Sequence, residues 1–194
     1  MFVRKCEMKI KNITKAFDGK IVLNNLNMEI PEGRITCIMA PSGAGKTTLL
    51  RILMGLEDAD SGSVTGFSKK RFSAVFQEER LCEQMSAEEN ILLVTPGLDM
   101  QMIGKELEKL GLGEDGGQPV SELSGGMRRR VSILRALLAP YDILFLDEPF
   151  QGLDQELKVQ VMAYVREKTT GKTVVVVTHD RQEAFALGAE VIEL

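Results

Sequence analysis

The 194-residue sequence predicts an α/β fold built on a mostly parallel sheet, and three observations carry that prediction. Its last third alternates short apolar runs with longer helix-spaced segments, the pattern of βα units laid side by side. Residues 34–40 (R-I-T-C-I-M-A) and 143–146 (I-L-F-L) read as strands buried on both faces, because they offer no polar side for water. Each of these strands runs straight into residues that bear chemistry: a glycine-rich turn after the first, a pair of acids after the second.

The elements are taken in chain order. Residues 9–17 alternate weakly, Asp18-Gly19 is a turn signal, and residues 21–30 resume as a strand. Pro31-Glu32-Gly33 punctuates before the strand at 34–40. Residues 48–54 are expected to be a helix that ends near Gly55. Ser61-Gly62-Ser63 and Gly66 read as breaks, and residues 72–76 as a second buried strand ending at Gln77. The middle is more helical, with a short helix at 87–94 and another at 100–110, where Ile103, Leu107 and Leu110 share a face. A glycine-rich connection at 111–119 leads to a helix at 126–139, with Met127, Val131, Leu134 and Leu138 along one side. The remainder is strand 143–147, helix 155–168, strand 173–178, helix 181–187 and strand 191–194. There is no internal repeat and no low-complexity segment.

Composition bounds the function. Hydrophobic residues make up 44% of the chain, enough for one sizeable domain over residues 1–194. The net charge of −4 gives no general attraction to nucleic acid or to an anionic membrane surface. Cys6, Cys37 and Cys82 are odd in number and widely spaced, so they are expected as buried free thiols in a reducing cytosol. The start carries Arg4, Lys5 and Glu7 and no long apolar run, so no secretion signal is expected. Every apolar stretch falls far short of the ~20 residues of a spanning helix. Any membrane process it serves needs another chain to cross the bilayer.

The turn after residue 40 is Pro41-Ser42-Gly43-Ala44-Gly45-Lys46-Thr47-Thr48, a phosphate-loop between strand and helix. Gly43 and Gly45 let the backbone turn so that its N–H groups face phosphate oxygens, and the helix start adds its positive end. Lys46 reaches terminal phosphates, Thr47 offers a hydroxyl to Mg²⁺, and Thr48 supports the α-phosphate. Ala40 stands where a glycine is usual. Pro41 biases it toward an extended backbone, which alanine adopts without strain. Asp147 and Glu148 sit at the exit of a buried strand, the edge at which open α/β sheets bind ligands. Asp147 is suited to hold Mg²⁺, directly or through water, and Glu148 to act as general base on an attacking water.

Between loop and acids lies Leu123-Ser124-Gly125-Gly126, at the mouth of a helix. Its hydroxyl and helix-start N–H groups suit a second anion site, or serve as an ordinary helix cap. One ATP is not easily held by both sites of one chain, so two chains sharing two ATPs is the expected solution. Phe17, the phosphate-loop, Gln77, Leu123–Gly126, Leu146-Asp147-Glu148-Pro149, Gly152-Leu153-Asp154 and Thr178-His179-Asp180 occur in the order of the ATP-binding cassette (ABC) ATPases. From about residue 8 onward the chain resembles the ATP-binding subunit of an ABC transporter. In L-S-G-G-M-R, with Met127 in place of the common glutamine, it is similar to the ATPases of nitrate-, sulfonate- and taurine-type importers.

The resemblance implies a P-loop NTPase core, a small antiparallel β lobe and a short helical lobe, at about 78–140, that carries the signature motif. It implies that Phe17 stacks on adenine, though a core phenylalanine is the other reading. Gln77 would touch Mg²⁺ and the attacking water. Ser124, Gly125 and Gly126 would cap the γ-phosphate of a partner's ATP, Asp154 would cross the dimer interface, and His179 would contact the γ-phosphate and order Glu148. ATP and Mg²⁺ are the implied cofactors. The implied partners are a second ABC subunit, with a homodimer expected, an integral membrane permease and a solute-binding protein, with no nucleic acid. The implied place is the cytoplasm, on the inner face of the cell membrane. Leu81 and Met85 are candidate permease contacts or lobe core. Arg128-Arg129-Arg130 reads as a solvated or acid-paired helix face. The segments 46–77 and 77–124 are shorter than is common, and no regulatory C-terminal domain is expected after Leu194. A soluble ABC ATPase, as in iron–sulfur cluster assembly, is the alternative. A module that closes on ATP without turnover is disfavoured by Glu148 and His179.

Overall fold

The computed structural model describes residues 8–41 and 43–194, so Cys6 and Ser42 lie outside the described residues. The elements run β1 (Met8–Phe17), β2 (Lys20–Ile30), β3 (Ile35–Met39), α1 (Lys46–Leu53), β4 (Ser61–Thr65), β5 (Phe72–Val75), α2 (Ala87–Leu92), α3 (Met100–Glu108), α4 (Gly125–Leu138), β6 (Ile143–Asp147), α5 (Gln155–Lys168), β7 (Thr173–Thr178), α6 (Arg181–Leu187) and β8 (Glu190–Glu193). They form two sheets. A five-stranded parallel sheet has the order β5-β6-β7-β3-β8, and a three-stranded antiparallel sheet the order β2-β1-β4. Helices α2, α3 and α4 fall between β5 and β6 in the chain.

The apolar strands are buried on both faces, and their alternation divides the core in two. Ile143 and Phe145 of β6, with Val175 and Val177 of β7, face α1 (Leu49, Leu50, Ile52, Leu53) and the inner side of the antiparallel sheet (Ile10, Leu23, Ile30). Leu144 and Leu146, with Val174 and Val176, face the helices, meeting Val131 and Leu134 of α4 and Val161 and Val165 of α5. Phe72 and Phe145 meet edge to face across neighbouring strands, with ring centroids 5.5 Å apart.

Three expectations need correction. Residues 61–63 do not break the chain; they belong to β4. Gly62 has φ +97°, and a Cβ there would come within 2.5 Å of the Lys11 and Asn12 carbonyls. The glycine therefore marks a close approach at the irregular stretch of the β1–β4 ladder, between Lys11 and Thr14. The three arginines are not a solvated face. Arg129 and Arg130 are buried. Arg130 donates to the carbonyls of Leu110, Gly111 and Gly126, tying the end of α3 to α4, and Arg128 donates to Leu123 O at 2.6 Å. Main-chain carbonyls at element ends take the place that carboxylates were expected to fill. Among the thiols, Cys37 is buried and pushed up to about 12 by burial, but Cys82 is exposed in the segment leading to α2.

Gly62→Ala puts a side chain into left-handed backbone against two carbonyls. It is expected to lower stability in urea unfolding by about 1–3 kcal/mol, with the far-UV spectrum of the folded state unchanged.

Candidate functional site

Parallel pairing sets the site. Strands β5, β6, β7 and β3 end at the same edge, so the segments that leave them meet there. After β3 comes the phosphate-loop, after β5 Gln77, after β6 Asp147 and Glu148, and after β7 His179. A cavity of about 450 Å³ opens at this edge, lined by Val22, Gly43, Gly45, Lys46, Thr47, Thr48, Gln77, Glu148, Gln151 and His179.

The loop is shaped for an anion. Gly43 and Gly45 have φ of +80° and +83°. At Gly45 a Cβ would also come within 2.8 Å of Val22 and Leu23, so a side chain fails there on two grounds. Ala40 takes no positive φ, as an extended residue before proline should. Gly45 is the N-cap of α1 and supplies no side-chain acceptor, and no acidic residue lies in the first turn. The first N–H groups of α1 therefore face the cavity without a carboxylate to compete for them. Lys46 is buried, and its Nζ donates to Ala40 O at 2.8 Å and Pro41 O at 3.1 Å.

One hydrogen bond spans 100 residues of chain: Thr47 Oγ1 donates to Asp147 Oδ2 at 2.8 Å. Asp147 is 2% exposed, and its Oδ1 is buried with no hydrogen-bond partner. Burial raises the pKa of this carboxyl, against the bond from Thr47. A buried carboxylate oxygen left unpaired calls for a cation. A hydroxyl beside a carboxylate is an all-oxygen set that suits a hard divalent ion such as Mg²⁺, which keeps several other ligands. The described residues contain no group of three or more His, Cys, Asp or Glu that could hold a metal, so phosphate oxygens and water would have to complete such a shell.

Glu148 is the strained residue of the site. It has φ +45°, which costs a non-glycine residue on the order of 1 kcal/mol or more. Its N–H donates to Val177 O at 2.8 Å, holding the unusual turn against β7. The turn brings the carboxylate to 4.0 Å from Lys46 Nζ and 3.0 Å from His179 Nδ1 through both oxygens. A carboxylate only accepts, so Nδ1 carries the proton. The bond to Glu148 raises the pKa of His179, and the charge of Glu148 adds to it.

The remaining predicted residues lie elsewhere. Phe17 is exposed at the end of β1, with Lys15 Nζ 5.0 Å from its ring centre, and is not among the residues lining the cavity. Ser124 caps α4, its Oγ accepting from Met127 N at 3.3 Å. Asp154 caps α5, accepting from Leu157 N at 2.9 Å. Both are exposed, as is Gly125. Leu81 is half-buried against the helix-side core, and Met85 is half-buried.

The sequence reading missed the groups that stand behind these. Gln151 lines the cavity. Lys158, one turn into α5, pairs with Asp180 at 2.8 Å and Glu183 at 2.6 Å, and Glu183 accepts from Thr178 Oγ1. The T-H-D segment is thus held from both sides. Only the position of Glu183 in the turn after His179 hinted at this, and nothing near Lys158 did.

Residues 23–151 match the family described as ABC transporter. An Fe(3+) ions import ATP-binding protein, FbpC 1, from Haemophilus influenzae is 37% identical over 94% of this chain and 61% of its own length. A spermidine/putrescine import ATP-binding protein, PotA, from Lawsonia intracellularis is 34% identical over 96% of this chain and 55% of its own length. The chain therefore spans somewhat more than half the length of these curated relatives. In three dimensions it is similar to the dimeric structure of MJ0796, a bacterial ABC transporter cassette, with a TM-score of 0.80, 31% identity and coverage of 96% of this chain and 94% of that one.

His179 is the single histidine of the chain, so its imidazole gives one set of proton resonances. Its titration midpoint is expected above that of an exposed histidine and should fall back in Glu148→Gln. The charged contact is complete at pH values below the ordinary histidine midpoint and is lost as pH rises through the raised one. A midpoint that Glu148→Gln leaves in place would show the two groups to be uncoupled.

Proposed function

The chain belongs to the ABC transporter family, and from that premise we propose that it is the ATP-binding and hydrolysing motor subunit of an importer. The observation that carries this reading is the meeting of Lys46, Thr47 and the Glu148–His179 pair on one cavity, with Asp147 bonded to Thr47 behind its wall. Binding and chemistry divide among these groups. The loop N–H groups and Lys46 bind and orient the triphosphate. Thr47, Asp147 and Gln77 would hold Mg²⁺, which when bound neutralises phosphate charge. Glu148 accepts a proton from the attacking water, and His179 fixes the carboxylate that does so. Pro41, Gly43, Ala44, Gly45 and Thr48 shape the cradle, and Phe17 offers its exposed ring to the adenine.

A head-to-tail homodimer on ATP is supported by the signature glycines. Neither Gly125 nor Gly126 has a positive φ. A Cβ on Gly125 would meet nothing within 4 Å, and one on Gly126 only ordinary contacts at 3.7 Å. Glycine in a helix costs about 1 kcal/mol against alanine, and no neighbour among the described residues asks for it. A phosphate held closely by Ser124, Gly125 and Gly126 of a partner protomer would ask for it, with Asp154 reaching across the same interface. The helical segment at about 78–140 is proposed as the lobe that presents this signature.

Cargo, permease and place belong to the same proposal. The described residues contain no helix long and apolar enough to cross a membrane, so the reading needs a separate permease, met at the segment around Gln77, Leu81 and Met85. It also needs a solute-binding protein and places this chain on the cytoplasmic face. Met127 in the signature keeps nitrate-, sulfonate- and taurine-type importers as the proposed kin, while the two relatives named above carry iron and polyamines in their names. Cargo choice therefore rests with the other subunits.

Two variants test the reading. Glu148→Gln should lower turnover by about 10²-fold or more and give a dimer on size-exclusion chromatography at saturating Mg-ATP. A variant that stays monomeric while the wild type turns over normally defeats the shared-site mechanism. Gly125→Ala should leave the monomer as stable or about 0.5–1 kcal/mol more stable in urea, yet weaken ATP-dependent dimerisation and hydrolysis. Retention of full activity would remove the signature from the reaction.

A further inference from the structure

Arg129 is 4% exposed and has no carboxylate within ion-pair distance among the described residues. Its guanidinium reaches instead across to the end of β5, where Nη1 donates to Phe76 O and Nη2 to Gln77 O, each at 2.6 Å. Its Nε is buried without an acceptor. Burial lowers its pKa, and the charges of Glu79 and Asp147, neither of them in ion-pair contact, offset that only in part. The contact does not stand alone. One turn on, Ser132 Oγ donates to Glu79 O at 3.3 Å, and from the turn after that Arg135 Nη2 donates to the same oxygen at 3.2 Å. Residues 129, 132 and 135 share a face of α4, so this face carries a ladder of donors along the backbone of 76–79.

We infer that Arg129 is a positioning residue for Gln77, fastening the backbone beneath that side chain to the helix that begins with Ser124-Gly125-Gly126. The inference rests on the proposed motor function, in which Gln77 and the signature act on ATP. Gln77 is exposed on the cavity wall and has no side-chain hydrogen bond among the described residues, so only its main chain sets where its amide stands. A planar fork that bridges two successive carbonyls fixes that main chain in direction as well as place. The same fork joins two working segments. The tie lands on α4 five residues from its Ser124 cap.

The test uses the full chain and a cycle with Gln77. Arg129→Lys keeps the charge but replaces the planar two-nitrogen fork by a single, freely rotating ammonium that fixes no direction. It is expected to lower kcat for Mg-ATP on the order of 10-fold to 100-fold, with KM changed by roughly twofold or less, the mark of a group that acts after binding. Arg129→Ala should behave alike if it folds. The double variant Gln77→Ala/Arg129→Lys should be no slower than Gln77→Ala alone, because the arginine acts through the glutamine. Amide hydrogen exchange at residues 76–79 should quicken in Arg129→Lys whether or not ATP is turned over. Wild-type kcat in Arg129→Lys, losses that multiply in the double variant, or unchanged exchange at 76–79 would each overturn the inference. A wild type without turnover would sink the motor reading instead, and exchange would still decide the clamp.

Discussion

The alignment of β6, β7 and β3 in parallel, with register fixed by burial on both faces, is the constraint on which everything at the site depends. Asp147 pairs with Val177, Ile38 with Val177 and Met39 with Thr178, so the three strands end within one residue of one another. A slip of one residue would turn Phe145 and Val175 from the α1 side to the α4 side and exchange the two halves of the core. Apolar packing across the sheet thus enforces a 2.8 Å contact between Thr47 and Asp147, groups that share no local sequence. Hydrophobic burial, which has no direction of its own, here sets the position of polar atoms because the side-chain period of a strand is two.

The polar edge so formed is held by opposed charges. Lys46, Asp147 and Glu148 are each under a tenth exposed. Such groups persist where each has something to bind. Lys46 has two carbonyls, Asp147 has Thr47 on one oxygen and nothing on the other, and Glu148 has His179 and a distant Lys46. The left-handed turn at Glu148 belongs to the same arrangement. An extended residue following Asp147 would carry on along β6, whereas this one turns its carboxylate toward the loop after β7. Local strain is tolerated because the N–H bond to Val177 and the wall of β7 hold it in place.

The sequence made legible whatever depended on strand period or on a loop with its own chemistry. The buried runs at β3, β6 and β7, the phosphate-loop, the acids and His179 were read where they stand, because apolar runs and glycine spacing are local signals. The β4 strand was not legible. Ser-Gly-Ser has low strand propensity, and what makes it a strand is pairing with β1, some fifty residues earlier. The arginine triplet was misread for the complementary reason. Charge in a sequence suggests solvent or a carboxylate, but Arg129 and Arg130 find carbonyls at the ends of β5 and α3, and no sequence pattern announces an unpaired carbonyl. Cys82 was expected to be buried from the habit of its residue type, yet it lies on the path into α2, where Asn90 holds its main chain.

Helix α4 shows how one element serves both requirements. Its apolar side, with Val131 and Leu134, rests on the helix-side core and is fixed by it. Its first residues, capped by Ser124, stay at least partly exposed, with glycines that no neighbour among the described residues requires. Between these ends its arginines grip main chain on two sides, Arg130 toward α3 and Arg129 toward β5. A carbonyl is a weaker acceptor for a guanidinium than a carboxylate, but it belongs to the backbone. The grip therefore transmits displacement of the chain itself, where an ion pair between two long side chains would absorb it in rotamer changes. In the proposed dimer, where the free end of this helix would face a partner's phosphate, stiffness at the flank matters more than the strength of any single contact.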